Sequence, residues 1–366
     1  MIIFSFFSGV GILDLGFQEA GYDIVFVNEF QSNFLKAYKY ARKGRRYVRP
    51  RYGYHVGDIN DFLTGDKAID FSGYINDARR RGEVIGFIGG PPCPDFSVAG
   101  KNKGRDGDNG KLAKSYIEMI LKYAPDFFLF ENVKGLIKTK RHREYYEELK
   151  DSLINGQYIL SDKLVNALSY GVPQDRERII LIGVRQGSRL SKSIVFTNSS
   201  FAFPWSLGVP YDSTIVKKLL WPTTQPFRCD SKRKFRYQVP RDLTVEYWFK
   251  KNRTNIHQNG KDTFLVKAGI DRIQAIDEGD TSRKSFKRLH RWRYSPTAAY
   301  GNNEVHLHPY KLRRLSVAET MAIQSLPRWF CLPPDVTLTQ KFKMVGNGVP
   351  FLVAKRIAEQ ISYYFI

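Results

Sequence analysis

The sequence predicts an α/β fold in which a doubly wound, mostly parallel sheet is joined to a second, smaller and irregular domain. Two observations lead to this prediction. From residue 1 to about 185, apolar runs of strand length alternate with longer amphipathic stretches of helical period. From about 186 to 310, short mixed segments rich in Arg, Lys, aromatic and turn residues replace that alternation.

Each element of the first region has its own signal. Short apolar runs predict buried strands at residues 2–6, 24–27, 84–88, 127–130 and 179–184. Longer stretches with helical period predict helices at residues 31–41, 114–123 and 143–154. A further helix should begin near Ile12, and a short strand should precede Gly57. Ligands of such sheets bind beyond the carboxyl ends of the strands.

The domain boundaries follow from the same change in texture. We predict a first domain of residues 1–185, completed by residues 311–366, and a second domain of residues 186–310. The apolar stretch at residues 351–361 is suited to pack back on the first domain.

The charge of the chain indicates a polyanionic partner. The chain has 58 Lys and Arg against 36 Asp and Glu, a formal net charge of +22. Residues 217–300 contain twenty Lys and Arg and eight Asp and Glu, a net of +12. A globular protein has no structural need for this excess, whereas a nucleic acid partner explains it.

Composition excludes several other classes. There is no run of eighteen apolar residues, and the short uncharged stretch of residues 1–7 predicts a strand rather than a signal peptide. The three cysteines are odd in number and far apart, which suits a reducing compartment, and none has metal-ligand spacing. We therefore expect a cytoplasmic protein with no membrane contact and no metal.

A glycine turn predicts a ligand site at the first strand. Gly9 and Gly11 precede the helix expected at Ile12, where free N–H groups and a close backbone approach favour a ligand. Glu29 lies twenty residues past Gly9, at the end of the second strand, where a carboxylate can accept both ribose hydroxyls. A dinucleotide would suit these features as well as any other adenosyl cofactor.

One cysteine is placed as a nucleophile. Cys93 follows Pro91 and Pro92 directly after an apolar run, and two prolines fix the backbone that presents the thiol. A cysteine packed for bulk alone needs no such turn.

Six motifs in order resemble the cytosine-C5 DNA methyltransferases of bacterial restriction-modification systems, and the resemblance covers nearly the whole chain. The motifs are residues 7–11, Glu29 with Asp58, residues 91–93, residues 131–133, residues 174–178 and residues 346–350. Six motifs with compatible spacing are far more specific than any one of them.

The resemblance implies the activity, the cofactor and the site residues. It implies methyl transfer from S-adenosylmethionine to C5 of a cytosine in a specific duplex DNA sequence, with residues 186–310 recognising the target. The cofactor-binding residues would be Phe7, Gly9, Val10, Gly11, Ile12, Glu29, Phe30, Asp58, Ile59, Pro92, Leu112, Asn347 and Val349. The catalytic residues would be Cys93, Ser97, Glu131, Arg176 and Arg178.

Each catalytic residue has an expected role. Cys93 would add to C6 of cytosine, while Glu131, desolvated by the apolar run before it, would serve N3. One of Arg176 and Arg178 would bind cytosine O2 and support Glu131, and the other would hold a phosphate or the catalytic turn. The target base must leave the duplex stack, and the glycine-rich basic segment after Ser97 is suited to close over it.

Two features depart from the family pattern. Pro94 stands where most relatives have Gln after the catalytic Cys, so Asn102 or Arg105 would have to fill the gap in the duplex. The basic stretch at residues 42–51 is interpreted as an added phosphate contact.

Alternatives remain at this level. The same motifs serve an RNA cytosine methyltransferase branch, although its Cys-Phe-Thr segment is absent here. A non-catalytic DNA-binding protein could keep the fold, but it would not need Cys93, Glu131 and both arginines. We expect a monomer that is associated with the bacterial nucleoid. The resemblance allows a cognate restriction endonuclease that acts on the same site, but the sequence does not decide whether one accompanies the protein.

Overall fold

The structure is a computed structural model that describes residues 1–45, 47–92, 108–266, 269–283, 285–297 and 306–365. The strands are β1 (Ile2–Phe6), β2 (Asp23–Glu29), β3 (Tyr54–Val56), β4 (Ile85–Gly89), β5 (Phe127–Val133), β6 (Tyr158–Asn166), β7 (Gln174–Asp175), β8 (Glu177–Arg185), β9 (Phe196–Thr197), β10 (Ser200–Phe201), β11 (Lys287–Arg288), β12 (Ser295–Pro296) and β13 (His306–Leu307). The helices are α1 (Ile12–Glu19), α2 (Ser32–Arg42), α3 (Asp66–Arg80), α4 (Asp108–Tyr123), α5 (Gly135–Lys138), α6 (Lys140–Asn155), α7 (Ser213–Lys218), α8 (Val245–Lys251), α9 (Ile270–Gln274), α10 (Val317–Ile323), α11 (Leu338–Asn347) and α12 (Phe351–Phe365).

One large sheet organises the molecule. Within the described residues it has nine strands in the order β3-β2-β1-β4-β5-β8-β6-β10-β9. The first five strands of this order are parallel, whereas β8 runs antiparallel to both β5 and β6. The predicted α/β class with a mostly parallel sheet is confirmed. The strand predicted at residues 179–184 is part of β8, but its antiparallel direction and the presence of β6 were not predicted from the sequence.

Strand β5 shows why both faces of the sheet are covered. Residues Phe127 to Phe130 are all fully buried. Because side chains alternate along a strand, Phe128 and Phe130 join one core cluster while Phe127 and Leu129 join the other. A continuous apolar run is what a strand between two layers of helices requires.

The C-terminal helix packs on the sheet region. Val353, Ile357 and Ile361 of α12 are buried in the core cluster that also contains Ile3 and Val27 of β1 and β2. The Tyr22 hydroxyl donates a hydrogen bond of 3.0 Å to the carbonyl oxygen of Ala358. Helix α12 therefore packs on the first region, as expected for residues 351–361. The domain boundaries themselves stay a prediction.

The region after residue 186 is built from short elements and small cores. Arg288 is fully buried, and its guanidinium donates to the carbonyl oxygens of Ile273, Ile276 and His308 at 2.6 to 2.7 Å. Arg291 is also buried and pairs with Glu278 at 2.8 Å. Two of the arginines in the basic region therefore support its fold. No helix in the described ranges is long and apolar enough to cross a membrane.

Candidate active site

The glycine turn after β1 is shaped by close contacts. Gly9 and Gly11 have φ of 58° and 75°, and Phe7 is left-handed as well, with φ of 51°. A Cβ added at Gly11 would lie 2.2 Å from the Tyr38 ring, so only glycine fits there. At Gly9, by contrast, an added Cβ would meet nothing within 4 Å, so this glycine borders open space.

Glu29 ties the end of β2 to this turn. Its Oε2 accepts a hydrogen bond of 2.8 Å from the Gly9 N–H, and its Oε1 accepts one of 2.8 Å from Gln31. Burial raises the pKa of the carboxyl, although the backbone donors of Gln31 and Gly9 oppose that rise. Each carboxylate oxygen retains a second lone pair for a ligand.

The residues around Glu29 fit the adenosyl group of a cofactor. Phe30, next in the chain, is 68% exposed, which leaves its ring free to stack on a base. Asp58 is half-buried after β3, but its Oδ1 already accepts from the N–H and the side-chain amide of Asn60 at 2.9 and 2.8 Å. Open space at Gly9, an acceptor at the end of β2 and an exposed aromatic ring are what a nucleoside requires.

A buried network of hydrogen bonds holds the glycine turn after β1 in place. The Asp14 carboxylate accepts hydrogen bonds from Ser5 at 2.7 Å and from Tyr38 at 2.9 Å. Arg42 lies over the Tyr38 ring and donates 2.8 Å to the carbonyl oxygen of Gly11. This network holds the backbone on which the glycines sit.

The network corrects one prediction. The basic stretch at residues 42–51 was expected to contact phosphate. Arg42 is 7% exposed and bonded to the turn, and Arg51 makes two 2.8 Å contacts with Glu83. The expectation is wrong for Arg42, which is buried, whereas a phosphate contact by the rest of the stretch, including the exposed Arg51, stays a prediction.

Glu131 lies on β5 against the turn that follows β4. Its side chain is buried, and Arg178 of β8 donates to its Oε1 across 3.0 Å. A Cβ built on Gly90 would stand 2.7 Å from Glu131 Oε2, so the carboxylate rests directly on the backbone of Gly90. Burial raises the pKa of this carboxyl, opposed first by the charge of Arg178 and then by that of Arg176.

Arg176, whose charge also acts on this carboxyl, is bound to a different loop. Its guanidinium donates to the carbonyl oxygens of Gly346 and Gly348 at 2.9 and 3.1 Å. A Cβ on Gly348 would be 2.5 Å from Ile12 Cδ1, so this loop packs closely against the start of α1. The two arginines thus have different partners: Arg178 lies beside Glu131, whereas Arg176 binds the loop at residues 346–348, a partner that was not predicted.

Sequence reasoning missed Gln324. This residue is fully buried, and its Nε2 donates to the carbonyl oxygens of Val345 and Gly348 at 2.7 and 3.4 Å. Together with Arg176 it satisfies carbonyl oxygens at the end of α11, which an α-helix leaves unpaired. The sequence feature that could have identified Gln324 is its position as a polar residue directly after the apolar positions of α10.

The remaining predicted cofactor residues differ in exposure. The side chains of Val10, Ile12, Ile59 and Val349 are buried in the cores, Leu112 is half-buried, and Pro92 and Asn347 are exposed. Phe7 lies against the ring of Tyr116, which also contacts Gly89. The turn after β1 and the end of β4 therefore lie against the same ring, that of Tyr116.

Several predicted residues lie outside the described residues. They are Cys93, Pro94, Ser97, Asn102 and Arg105, together with the glycine-rich segment after Ser97. The described residues before this gap end at Pro92, two residues after Gly90, and resume at residue 108.

The chemistry available at Glu131 is proton exchange. A buried carboxyl with a raised pKa can hold a proton, and Arg178 fixes its direction.

Comparison with known proteins identifies relatives along the whole chain. The family model of C-5 cytosine-specific DNA methylases matches residues 1–363. The type II methyltransferase M.NmeDI of Neisseria meningitidis serogroup C is 51% identical over 364 residues, which span 99% of this chain and 84% of that protein. M.FnuDI of Fusobacterium nucleatum, also a type II methyltransferase, is 29% identical over 99% of this chain and 95% of its own length. Among solved structures, a DNMT2 mutant of Spodoptera frugiperda superposes with a TM-score of 0.60 at 16% identity, covering 99% of both chains, and so supports the fold alone.

Proposed function

Because the chain belongs to the C-5 cytosine-specific DNA methylase family, we propose that it transfers a methyl group from S-adenosylmethionine to C5 of a flipped-out cytosine in a specific duplex DNA sequence. In this proposal Cys93 forms a transient covalent bond to C6 of the base. The type II names of its relatives support a role in restriction-modification, with a cognate endonuclease acting on the same site. We also propose that the enzyme acts as a monomer.

One observation supports the chemistry most directly. The Glu131 carboxyl is buried, paired with Arg178 at 3.0 Å and placed against Gly90, three residues before Cys93. A carboxyl in this position can face a base that is attacked by the thiol.

The cofactor would bind along the turn after β1. Glu29 would accept the ribose hydroxyls, the exposed ring of Phe30 would stack on the adenine, and Asp58 would accept from the adenine amino group through the oxygen not used by Asn60. The backbone of residues 9–11 would line the rest, with Phe7, Pro92, Leu112, Asn347 and Val349 around it. When bound, S-adenosylmethionine would supply the electrophilic methyl group through cleavage of its sulfonium–methyl bond and would leave as S-adenosylhomocysteine.

The residues of the chain would prepare the base. The Cys93 thiolate adds to C6, and the C5–C6 π electrons move toward N3 as Glu131 donates its proton there. Loss of that proton back to Glu131 makes C5 nucleophilic enough to take up the methyl group. A base then removes the C5 proton, and the C6–S bond breaks to release the thiolate. Arg178 would hold Glu131 and bind cytosine O2, while Ser97 lies in the same motif as the nucleophile.

Access to the base requires that it leave the duplex. We propose that the segment after Ser97 closes over the strand. Asn102 or Arg105 would then fill the gap in the duplex, because Pro94 offers no polar side chain.

The test is covalent trapping with the complete protein. Bisulfite sequencing of DNA methylated by the wild type defines the target, and a duplex with 5-fluorocytosine at that position should give a denaturant-resistant adduct. Cys93→Ala should abolish both the adduct and methyl transfer from labelled cofactor, yet keep DNA binding.

The chain contains its own control. Cys229 is an exposed free thiol, so Cys229→Ala should behave as the wild type. Full activity of Cys93→Ala would exclude the covalent mechanism. Methylation of tRNA in place of duplex DNA would establish the RNA alternative.

A further inference from the structure

Residues 231–239 alternate between exposed and packed side chains. Lys232, Lys234, Arg236 and Gln238 are exposed, whereas the odd-numbered residues from Arg233 to Val239 are half-buried or buried. A period of two indicates an extended backbone with two distinct faces.

The inner face is anchored on aromatic rings. Phe235 and Tyr237 lie 6.0 and 5.5 Å, between ring centroids, from Trp292. The Tyr237 hydroxyl also accepts a hydrogen bond of 2.8 Å from Gln225. These contacts fix which side chains point outward.

The start of the segment is fixed by a buried ion pair. Arg291, paired with Glu278, donates 2.6 Å to the carbonyl oxygen of Ser231 and 2.8 Å to its hydroxyl. The adjoining chain then reaches the active site: Ser295 and Pro296 pair with Gln174 and Asp175, directly before Arg176. The segment is thus braced on the same stretch of chain that borders the catalytic arginines.

The outer face has three cations in a row. At roughly 3.3 Å per residue, Lys232, Lys234 and Arg236 span roughly 13 Å. Within the part of the chain that the structure describes, no hydrogen bond or ion pair involves their side chains. Two other cations of the region are paired with carboxylates, Lys217 with Asp175 and Lys250 with Glu246.

We propose that residues 232–238 are the DNA-reading edge of this enzyme, a statement that rests on the proposed DNA substrate. Lys232 and Lys234 contact phosphates, which suits flexible point charges. Arg236 and Gln238 contact base edges in the major groove, where their planar groups can make bidentate hydrogen bonds to guanine and adenine.

The experiment uses the full-length protein and the duplex that the wild type methylates, beside a duplex with a scrambled site. Lys232→Ala and Lys234→Ala should weaken binding to both duplexes alike and reduce the slope of log affinity against log salt by about one each. Arg236→Ala and Gln238→Ala should weaken binding to the methylated site roughly 10- to 100-fold and broaden the methylated sequence.

The matched control is Lys250→Ala. This lysine is an exposed cation of the same region, but Glu246 holds its ammonium at 3.0 Å. If the wild type methylates DNA and all four variants match this control, the inference is wrong while the proposed function stands. A wild type that methylates no DNA overturns the proposed function, and the inference with it.

Discussion

At the scale of single residues, the position of Glu131 combines what sequence predicts with what it cannot. Four apolar residues before it predict its burial, and the structure has the side chain 8% exposed. Its partner is decided by pairing across the sheet: β8 runs antiparallel to β5 and brings Arg178 opposite Val133. The sequence alone could not choose between Arg176 and Arg178, because that choice depends on the direction of β8 and on the contact of Arg176 with a loop 170 residues away.

We predict that Glu131→Gln slows methyl transfer by about two or more orders of magnitude, because an amide cannot exchange a proton with N3. Cofactor binding should be nearly unchanged. Since burial raises the pKa of Glu131, the wild type should keep the protonated form to higher pH than an exposed glutamate would, and methyl transfer should slow as pH rises through the raised pKa. The pH dependence of single-turnover rates of the wild type measures this.

Glu177→Gln is the matched control, because that carboxylate lies on the neighbouring strand β8, next to Arg178, and pairs with Lys134 at the surface. It should keep the wild-type rate. Normal turnover of Glu131→Gln would mean that another group serves N3.

At the scale of elements, helices and strands with a regular apolar period are predicted well from the sequence, whereas those with an interrupted period are predicted poorly. Strand β1 and the ends of α2 agree with prediction to within one residue. Strand β6 was missed because Ser161, Asp162 and Lys163 break its apolar run where it lies against β8. The start of α10 could have been placed, because Ser316 and Glu319 form a capping box there. The carbonyl end of α11, by contrast, is held by residues from two other parts of the chain.

That end of α11 leads to a second prediction. Gln324→Leu should weaken binding of S-adenosylmethionine roughly ten-fold, equivalent to about one lost hydrogen bond, because the loop at residues 346–348 would lose a donor while it presses on Ile12. Titration calorimetry of the complete protein without DNA measures this directly.

Gln360 provides the control in the same chain. It is equally buried, and its Nε2 donates to the carbonyl oxygens of Trp205 and Leu207 at 3.1 and 2.8 Å. Gln360→Leu should lose a similar amount of stability, about 1 to 3 kcal/mol, and keep cofactor affinity. Equal affinities in both variants would assign Gln324 a purely structural role.

At the scale of the whole molecule, the positively charged side chains are of two kinds, buried and exposed, which composition could not tell apart. Arg288 and Arg291 are buried in the region after residue 186 and hold its irregular chain together. Lys232, Lys234 and Arg236 are exposed on one face. A count of charges predicts a polyanionic partner, but only the packing tells which charges can meet it.

The same region should make the protein sensitive to acid. Burial lowers the pKa of His290 to about 4 and that of His306 and His308 to about 3. Below about pH 6.5 the unfolded chain binds protons at these sites and the folded chain does not, so stability falls as pH drops from about 6.5 toward 4. Each histidine contributes on the order of 1 kcal/mol per pH unit in that window.

Urea unfolding at pH 7.5 and pH 5 measures this loss, and His290→Gln should reduce it by removing one protonation site. A free energy of unfolding that is equal at the two pH values would contradict the prediction.

The ends of the large sheet have a consequence for association. A sheet normally exposes unpaired N–H and C=O groups along its outermost strands, and these can recruit a strand from another molecule. Among the described residues, the outermost strands are β3, with three residues, and β9, with two. Edges this short offer little template for intermolecular pairing, so the concentrated protein should resist aggregation through its sheet even though the strands inside it are long and apolar.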